Sequence, residues 1–290
     1  AAPRCEAELA RWVPAWRPMT AGQVEAHHFQ RAPGLIFGLD FPWTEEMLLE
    51  WGPGWLTTAF RMAGTLGEAN SVRRILPEKR PRLQSSIGKR GFLFEVEYER
   101  PESDLHTELF AKVPNSMDKS TRCDRLSRSV DEQPADLQEV HAYRLLEASI
   151  PLRIPRFYFG DISNETSNFV LILERLPFAD SGDVSFDHLA LPGGTKRHLG
   201  PYDVEMPCIK RMDWAPEYYF CLVRAGGRMA GSYKAGRMGD TQKLEKSFEN
   251  CSACRPRPAW ETCQGASGRP PKALRRELVA AGAFIWGLGA

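Results

Sequence analysis

Over residues 91–176 the hydrophobic period changes several times, and that order limits the fold more than any other feature of the chain. Phe92, Phe94, Val96 and Tyr98 alternate with Leu93, Glu95, Glu97 and Glu99, the two-residue period of a half-buried strand. Residues 101–104 read as a turn, and 105–113 as a second strand stopped by Pro114, so the pair predicts an antiparallel hairpin. A helix is expected over 134–148, because Pro134 is tolerated in a first turn where its missing N–H has no intrahelical role. Pro151 and Pro155 break it, and two further strands are expected at 157–159 and 169–173, joined by turn formers. Strand, strand, helix, strand, strand is the order of an α+β unit built on an antiparallel sheet.

The flanks are more helical. Met47, Leu48 and Trp51 recur at helical spacing after Thr44, a helix-start residue followed by Glu45 and Glu46, where free backbone amides favour acids. Gly52-Pro53-Gly54 interrupts this run before Trp55, Leu56, Ala59 and Phe60 resume it. Residues 72–86 are basic, with a short strand beginning near Val72, and 117–132 are charged and expected to be mostly exposed. The strongest helical pattern spans 215–235, with Asp213 as its N-cap. An apolar stripe there runs through Tyr219, Leu222, Val223, Gly226, Met229, Ala230 and Tyr233, Gly226 allows close approach, and Gly236 ends the helix. Beyond Asp240 the regular pattern declines, and 250–272 is rich in Cys, Arg, Pro, Gly and Ser, which predicts a loop or disordered tail.

Composition narrows the function classes. The chain is 42% hydrophobic and 10% aromatic, which demands a core and excludes a wholly disordered protein. A net charge of +1 with only short basic clusters gives no nucleic-acid footprint. Seven scattered cysteines, an odd number without small-domain spacing, predict a cytoplasmic or other reducing intracellular location. No run reaches the roughly 18 apolar residues needed to cross a bilayer. Residues 278–290 come nearest and read as a buried helix or the start of a longer apolar segment.

Two charged residues stand out in the central pattern. Lys112 falls near the end of the second strand, and Glu139 lies on the helix beside Ala142, Tyr143 and Leu146, a partly apolar face where a carboxylate needs a partner. A fixed cation held by a carboxylate is what a phosphate tail requires. Around these residues the chain resembles the kinase-like phosphotransferases of small molecules, the aminoglycoside, choline and ecdysteroid kinase-like group. The resemblance is carried by Leu105-His106-Thr107-Glu108-Leu109-Phe110-Ala111-Lys112, Glu139-Val140-His141-Ala142-Tyr143 and Phe169-Val170-Leu171-Ile172-Leu173-Glu174-Arg175-Leu176. Trp214-Ala215-Pro216-Glu217-Tyr218-Tyr219 and Tyr233-Lys234-Ala235-Gly236-Arg237 extend it into what would be the first long helix of a second lobe.

That resemblance implies a protein-kinase-like fold with an antiparallel-sheet N-lobe and a partial, mainly helical C-lobe. It divides the chain into a helical N-terminal extension (1–66), N-lobe and hinge (67–176), partial C-lobe (177–240) and an irregular tail with a possible terminal helix (241–290). It implies ATP and Mg²⁺ as cofactors and a small-molecule hydroxyl as acceptor. Lys112 would meet the phosphates with Glu139 as its ion-pair partner, Gly88 and Gly91 would bring backbone close to phosphate, and Glu174 to Leu176 would form the hinge that meets adenine.

The catalytic half of that pattern is not found in the sequence. No His follows His198, and Asp240 is the last Asp, so the family's His-Gly-Asp loop with its downstream Asn and Asp has no counterpart. Gly239-Asp240 is a superficial echo, and Asp180, Asp183 and Asp187 read as loop charges. Either the chain is a truncated or wrongly continued phosphotransferase, or it is a nucleotide-binding or protein-interaction module without transfer chemistry. Cys251 and Cys254 with Cys263 supply three thiols where a structural zinc site takes four ligands. His27-His28 lacks a carboxylate motif, and His106 and His141 read as structural histidines.

Overall fold

A computed structural model describes residues 2–77, 89–118, 121–130, 134–176, 183–184, 197–198 and 215–248. These fall into two compact units. One holds the described residues up to Ser149, Ile154–Arg175 and those from Met238; the other holds Ile150–Arg153 and Leu176–Arg237. The architecture is mixed α+β, with an antiparallel sheet followed by helices.

In the first unit the strands are β1 (Val72–Pro77), β2 (Lys89–Tyr98), β3 (Glu108–Pro114), β4 (Phe157–Ile162) and β5 (Phe169–Glu174). They form one antiparallel sheet in the order β1-β2-β3-β5-β4. The helices of this unit are α1 (Ala2–Ala10), α2 (Ala21–His27), α3 (Glu45–Met62), α4 (Arg122–Ser129), α5 (Ala135–Leu146) and, after the second unit's elements, α7 (Thr241–Ser247). Strand alternation assigns the two faces of the sheet. Phe92, Ala111, Ile172 and Phe159 are paired across β2, β3, β5 and β4, and the Phe159 ring meets Trp55 of α3 edge-on at 5.5 Å. One register position along, Gly91, Lys112, Leu171 and Gly160 make the opposite row, and a Cβ on Gly160 would lie 3.3 Å from Val140 of α5. The sheet is therefore packed by α3 on one side and by α5 on the other.

Helix α3 starts where the sequence places it, with Thr44 accepting from Met47 N, and it kinks at Gly52, whose φ of 70° precedes Pro53. It shares one hydrophobic core with Ile36, Phe37, Phe41 and both sheet hairpins. Helix α4 corrects the expectation of an exposed segment over 117–132. Arg125 is only 2% exposed, because its guanidinium donates to Ser129 Oγ, Ser167 O and Asn168 Oδ1 at 3.1, 2.8 and 3.1 Å. A charged side chain enters a core when oxygens replace its water. Helix α7 corrects the irregular tail at its first residues: Asp240 caps it by accepting from Gln242 N and Lys243 N, and Leu244 is buried.

In the second unit, β6 (Asp183–Val184) pairs antiparallel with β7 (Arg197–His198), and α6 (Ala215–Lys234) follows. Gly236 ends α6 at φ 65°, the left-handed conformation that favours glycine. Asp213 lies outside the described residues. The apolar stripe on α6 is not covered throughout, since Val223 and Met229 are exposed and Phe220 beside them is 61% exposed. No described atom would come within 4 Å of a Cβ on Gly226, so the close approach expected there is absent among the described residues. Periodicity reports a face that can be buried, not the surface that buries it. No helix of the described residues is long and apolar enough to cross a membrane.

Candidate functional site

Lys112 and Glu139 meet. Strand alternation puts Lys112 on the α5 side of β3, and the Lys112 Nζ donates to Glu139 Oε1 at 2.6 Å. The second oxygen of Glu139 is also taken, by the Lys89 ammonium from the start of β2. Lys89 stands 3.1 Å from Asp136 Oδ1, and Arg128 of α4 donates to that same oxygen at 3.0 Å. Five charged groups thus form an unbroken chain, Lys112–Glu139–Lys89–Asp136–Arg128. Burial alone would raise the Glu139 carboxyl, yet Lys89 and then Lys112 hold it below its ordinary value. Nearby, burial and the Glu139 charge push the Tyr143 hydroxyl up to about 12.

The sequence singles out only Lys112 and Glu139 of these five. Lys89 sits two residues before Gly91, hence on the same strand face, and Asp136 sits one helical turn before Glu139. Extending both periods by one step would have found them. Arg128 carried no local signal, because α4 itself was read as exposed.

Gly91 is paired with Lys112, but its missing Cβ already has a use. A Cβ there would lie 2.5 Å from Phe110 Cε2, so the Phe110 ring covers the glycine across the strands. Gly88 lies outside the described residues. Glu174 is buried at the end of β5, where its carboxylate accepts from Arg156 N at 3.0 Å and lies 3.4 Å from His106 Nε2. The amides of the expected hinge are partly committed, with Glu174 N donating to Arg156 O at 2.8 Å and Arg175 N to Glu108 O at 3.2 Å. Leu176 beyond them is exposed.

A cavity of about 520 Å³ is lined by Trp43, Arg90, Gly91, Phe92, Val113 and Arg125 among others, so of the expected site residues it touches Gly91. Phe92 and Val113 belong to the α3 side of the sheet, and neither Lys112 nor Glu139 lines this space. Burial lowers Arg125 to about 10, against the raising effect of Asp136, so it stays charged at neutral pH.

Asp240 is used as the cap of α7. His28 Nδ1 lies 2.9 Å from Glu25 O. The side chain of Asp183 and the residues Asp180, Asp187, Cys251, Cys254 and Cys263 lie outside the described set. Among the described residues no three His, Cys, Asp or Glu side chains gather as a metal site, and no metal step is assigned to them. Searches of protein-family models, curated proteins and solved structures find no match for this chain.

Proposed function

We propose that this chain carries the nucleotide-binding lobe of a protein-kinase-like phosphotransferase, with Lys112 receiving the phosphates of Mg-ATP. The observation that carries the reading is the 2.6 Å contact between Lys112 and Glu139, 27 residues apart in sequence. In protein kinases a lysine on the third strand is held for phosphate by a glutamate on the following helix. Here β3 carries the lysine and α5 the glutamate, with α4 between them in the chain. The resemblance would bring adenine to the backbone after Leu173, where the amides of Glu174 and Arg175 already donate within the lobe. The wider activity expected of such a protein is transfer of phosphate to a hydroxyl of a small molecule.

A second reading, a nucleotide-binding or protein-interaction module without transfer chemistry, is favoured by one observation. Asp240, the sole echo of a catalytic loop, spends its carboxylate on the α7 amides. Titration calorimetry with Mg-ATP tests the shared part: the folded chain binds, and Lys112→Ala weakens binding at least about tenfold, the worth of one charged hydrogen bond. Absence of binding by a folded wild type sinks both nucleotide-based readings and leaves only a protein-interaction module. Turnover against a panel of hydroxyl compounds separates them, with phosphate transfer supporting the enzyme and binding alone supporting the module.

A further inference from the structure

We infer that the cavity beside Arg125 is a binding site for a small apolar monocarboxylate, its charged end on the Arg125 guanidinium and its apolar body against Trp43, Phe92 and Val113. The site is separate from the Lys112–Glu139 pair, neither member of which lines it. At about 520 Å³ the space has the size of a small-molecule pocket. Arg125 is the one buried charged residue among those lining it. A guanidinium taken out of water is ordinarily set against a carboxylate. Here the acceptors are Ser129 Oγ, Ser167 O and Asn168 Oδ1, all neutral, and among the described residues Arg125 makes no ion pair. Asp136 acts on it only through space, while the Asp136 carboxylate is held in contact by Lys89 and Arg128. The three bonds leave from Nη1 and Nη2, so the Nε–H is not spent on them. Exposure is graded outward from this point: Arg125, Phe92 and Val113 are buried, Trp43 is half-buried and Phe29 is 65% exposed. A cation at the closed end and apolar walls toward the open end match a ligand with one anionic tip and an apolar body. The remaining charges limit that tip to a single negative charge. Arg90 already donates to Ser116 Oγ at 2.8 Å and stands 3.7 Å from Asp118, which leaves Arg125 alone without a counter-charge. Glu45, Glu46 and Asp118 also line the space, Glu46 and Asp118 both exposed. Water screens them from a single charge drawn to the buried end, whereas a dianion would set a second charge against three carboxylates.

The probe is 3-phenylpropionate, titrated into the full chain by calorimetry beside its neutral analogue 3-phenylpropionamide and the dianion phenyl phosphate. The Val113 methyl signals, assigned through Val113→Ile, report whether the probe enters this cavity. The carboxylate is expected to bind at least about tenfold more tightly than the amide, the worth of one charge-assisted hydrogen bond, and to shift the Val113 methyls. Arg125→Met abolishes that preference. Carboxylate and amide affinities within about twofold of each other in the wild type overturn the inference. So does a folded wild type that fails to bind 3-phenylpropionate, or binding that leaves the Val113 signals unmoved. A folded Arg125→Met that keeps the preference overturns it as well. Phenyl phosphate binding more tightly than the carboxylate overturns the single-charge assignment. Where Arg125→Met does not fold, the wild-type comparison decides alone, because it removes the charge from the ligand instead of from the protein.

Discussion

A Cβ placed on Gly34 would lie 2.1 Å from Asp161 Oδ2 and 2.2 Å from its Cγ, closer than any real contact. The carboxylate has no room to retreat. Its Oδ1 accepts from Ile36 N and Ile162 N at 2.9 and 2.8 Å, and its Oδ2 accepts from Phe37 N at 2.8 Å. The loop carrying Ile36 and Phe37 is thus fastened to β4 by one buried acid, and only glycine lets the chain pass that close. Gly34→Ala is expected to cost about 2–4 kcal/mol, combining overpacking with strained hydrogen bonds to a buried charge. Urea unfolding measures it, and a cost below about 0.5 kcal/mol, the range of neutral surface changes, would show that the loop repacks freely.

Helix α5 is the element on which the candidate site depends, and it is held from several directions. Val140 packs near Gly160 of the sheet, Asp136 and Glu139 are tied to Lys89, Lys112 and Arg128, and its far end is fastened to α1. There Arg144 donates to Glu8 Oε2 at 2.8 Å and to Glu8 O at 3.0 Å, with both side chains buried. Arg11 adds a second cation to Glu8, and Arg4 pairs with Glu147 while its guanidinium lies 5.4 Å from the Phe157 ring centre. Removing one member of a buried pair strands the other, so Glu8→Ala is expected to destabilise the unit by about 3 kcal/mol. The double variant Glu8→Leu with Arg144→Met should be more stable than either single change, because no fully buried charge is then left alone; Arg11, which also loses Glu8, is 33% exposed and reaches water. Denaturant unfolding of the four proteins of that cycle measures the coupling, and strictly additive changes would mean that the pair does not hold α1 to α5. Hydrogen exchange of the α1 amides should quicken in Glu8→Ala and recover in the double variant.

At the scale of the molecule, the parts legible in the sequence are those set by local period and by charge on an apolar face. Both hairpins, α3 with its kink, α5 and the need of Glu139 for a partner are of that kind, while its pairing with Lys112 was expected from the resemblance alone. The buried Arg125, the Lys89–Asp136 bridge and the Asp161 fastening were not, because each depends on acceptors or donors far away in sequence, and no local pattern announces them. The same long-range burial sets how the folded unit responds to pH. Burial raises the Asp161 carboxyl to about 6 from an ordinary 3.8, so its stabilisation is full below the unfolded value and is lost as pH rises toward 6. Burial, aided by the Arg144 charge, lowers His141 to about 3 from 6.5. The unfolded chain then binds a proton that the folded chain refuses, so this contribution is present above 6.5 and lost as pH falls toward 3. Between about pH 4.5 and 6, folding takes up a proton at Asp161 and releases one at His141, and the two slopes offset. His141→Gln removes one side of that balance while keeping an acceptor for the Arg144 N–H that lies 3.3 Å from His141 Nδ1. Relative to wild type, the variant should gain stability as pH falls from about 6 to 4.5, with a slope of about 1.4 kcal/mol per pH unit. Urea unfolding at stepped pH gives both curves, and curves that stay parallel across this window would show that His141 titrates alike in the folded and unfolded chain.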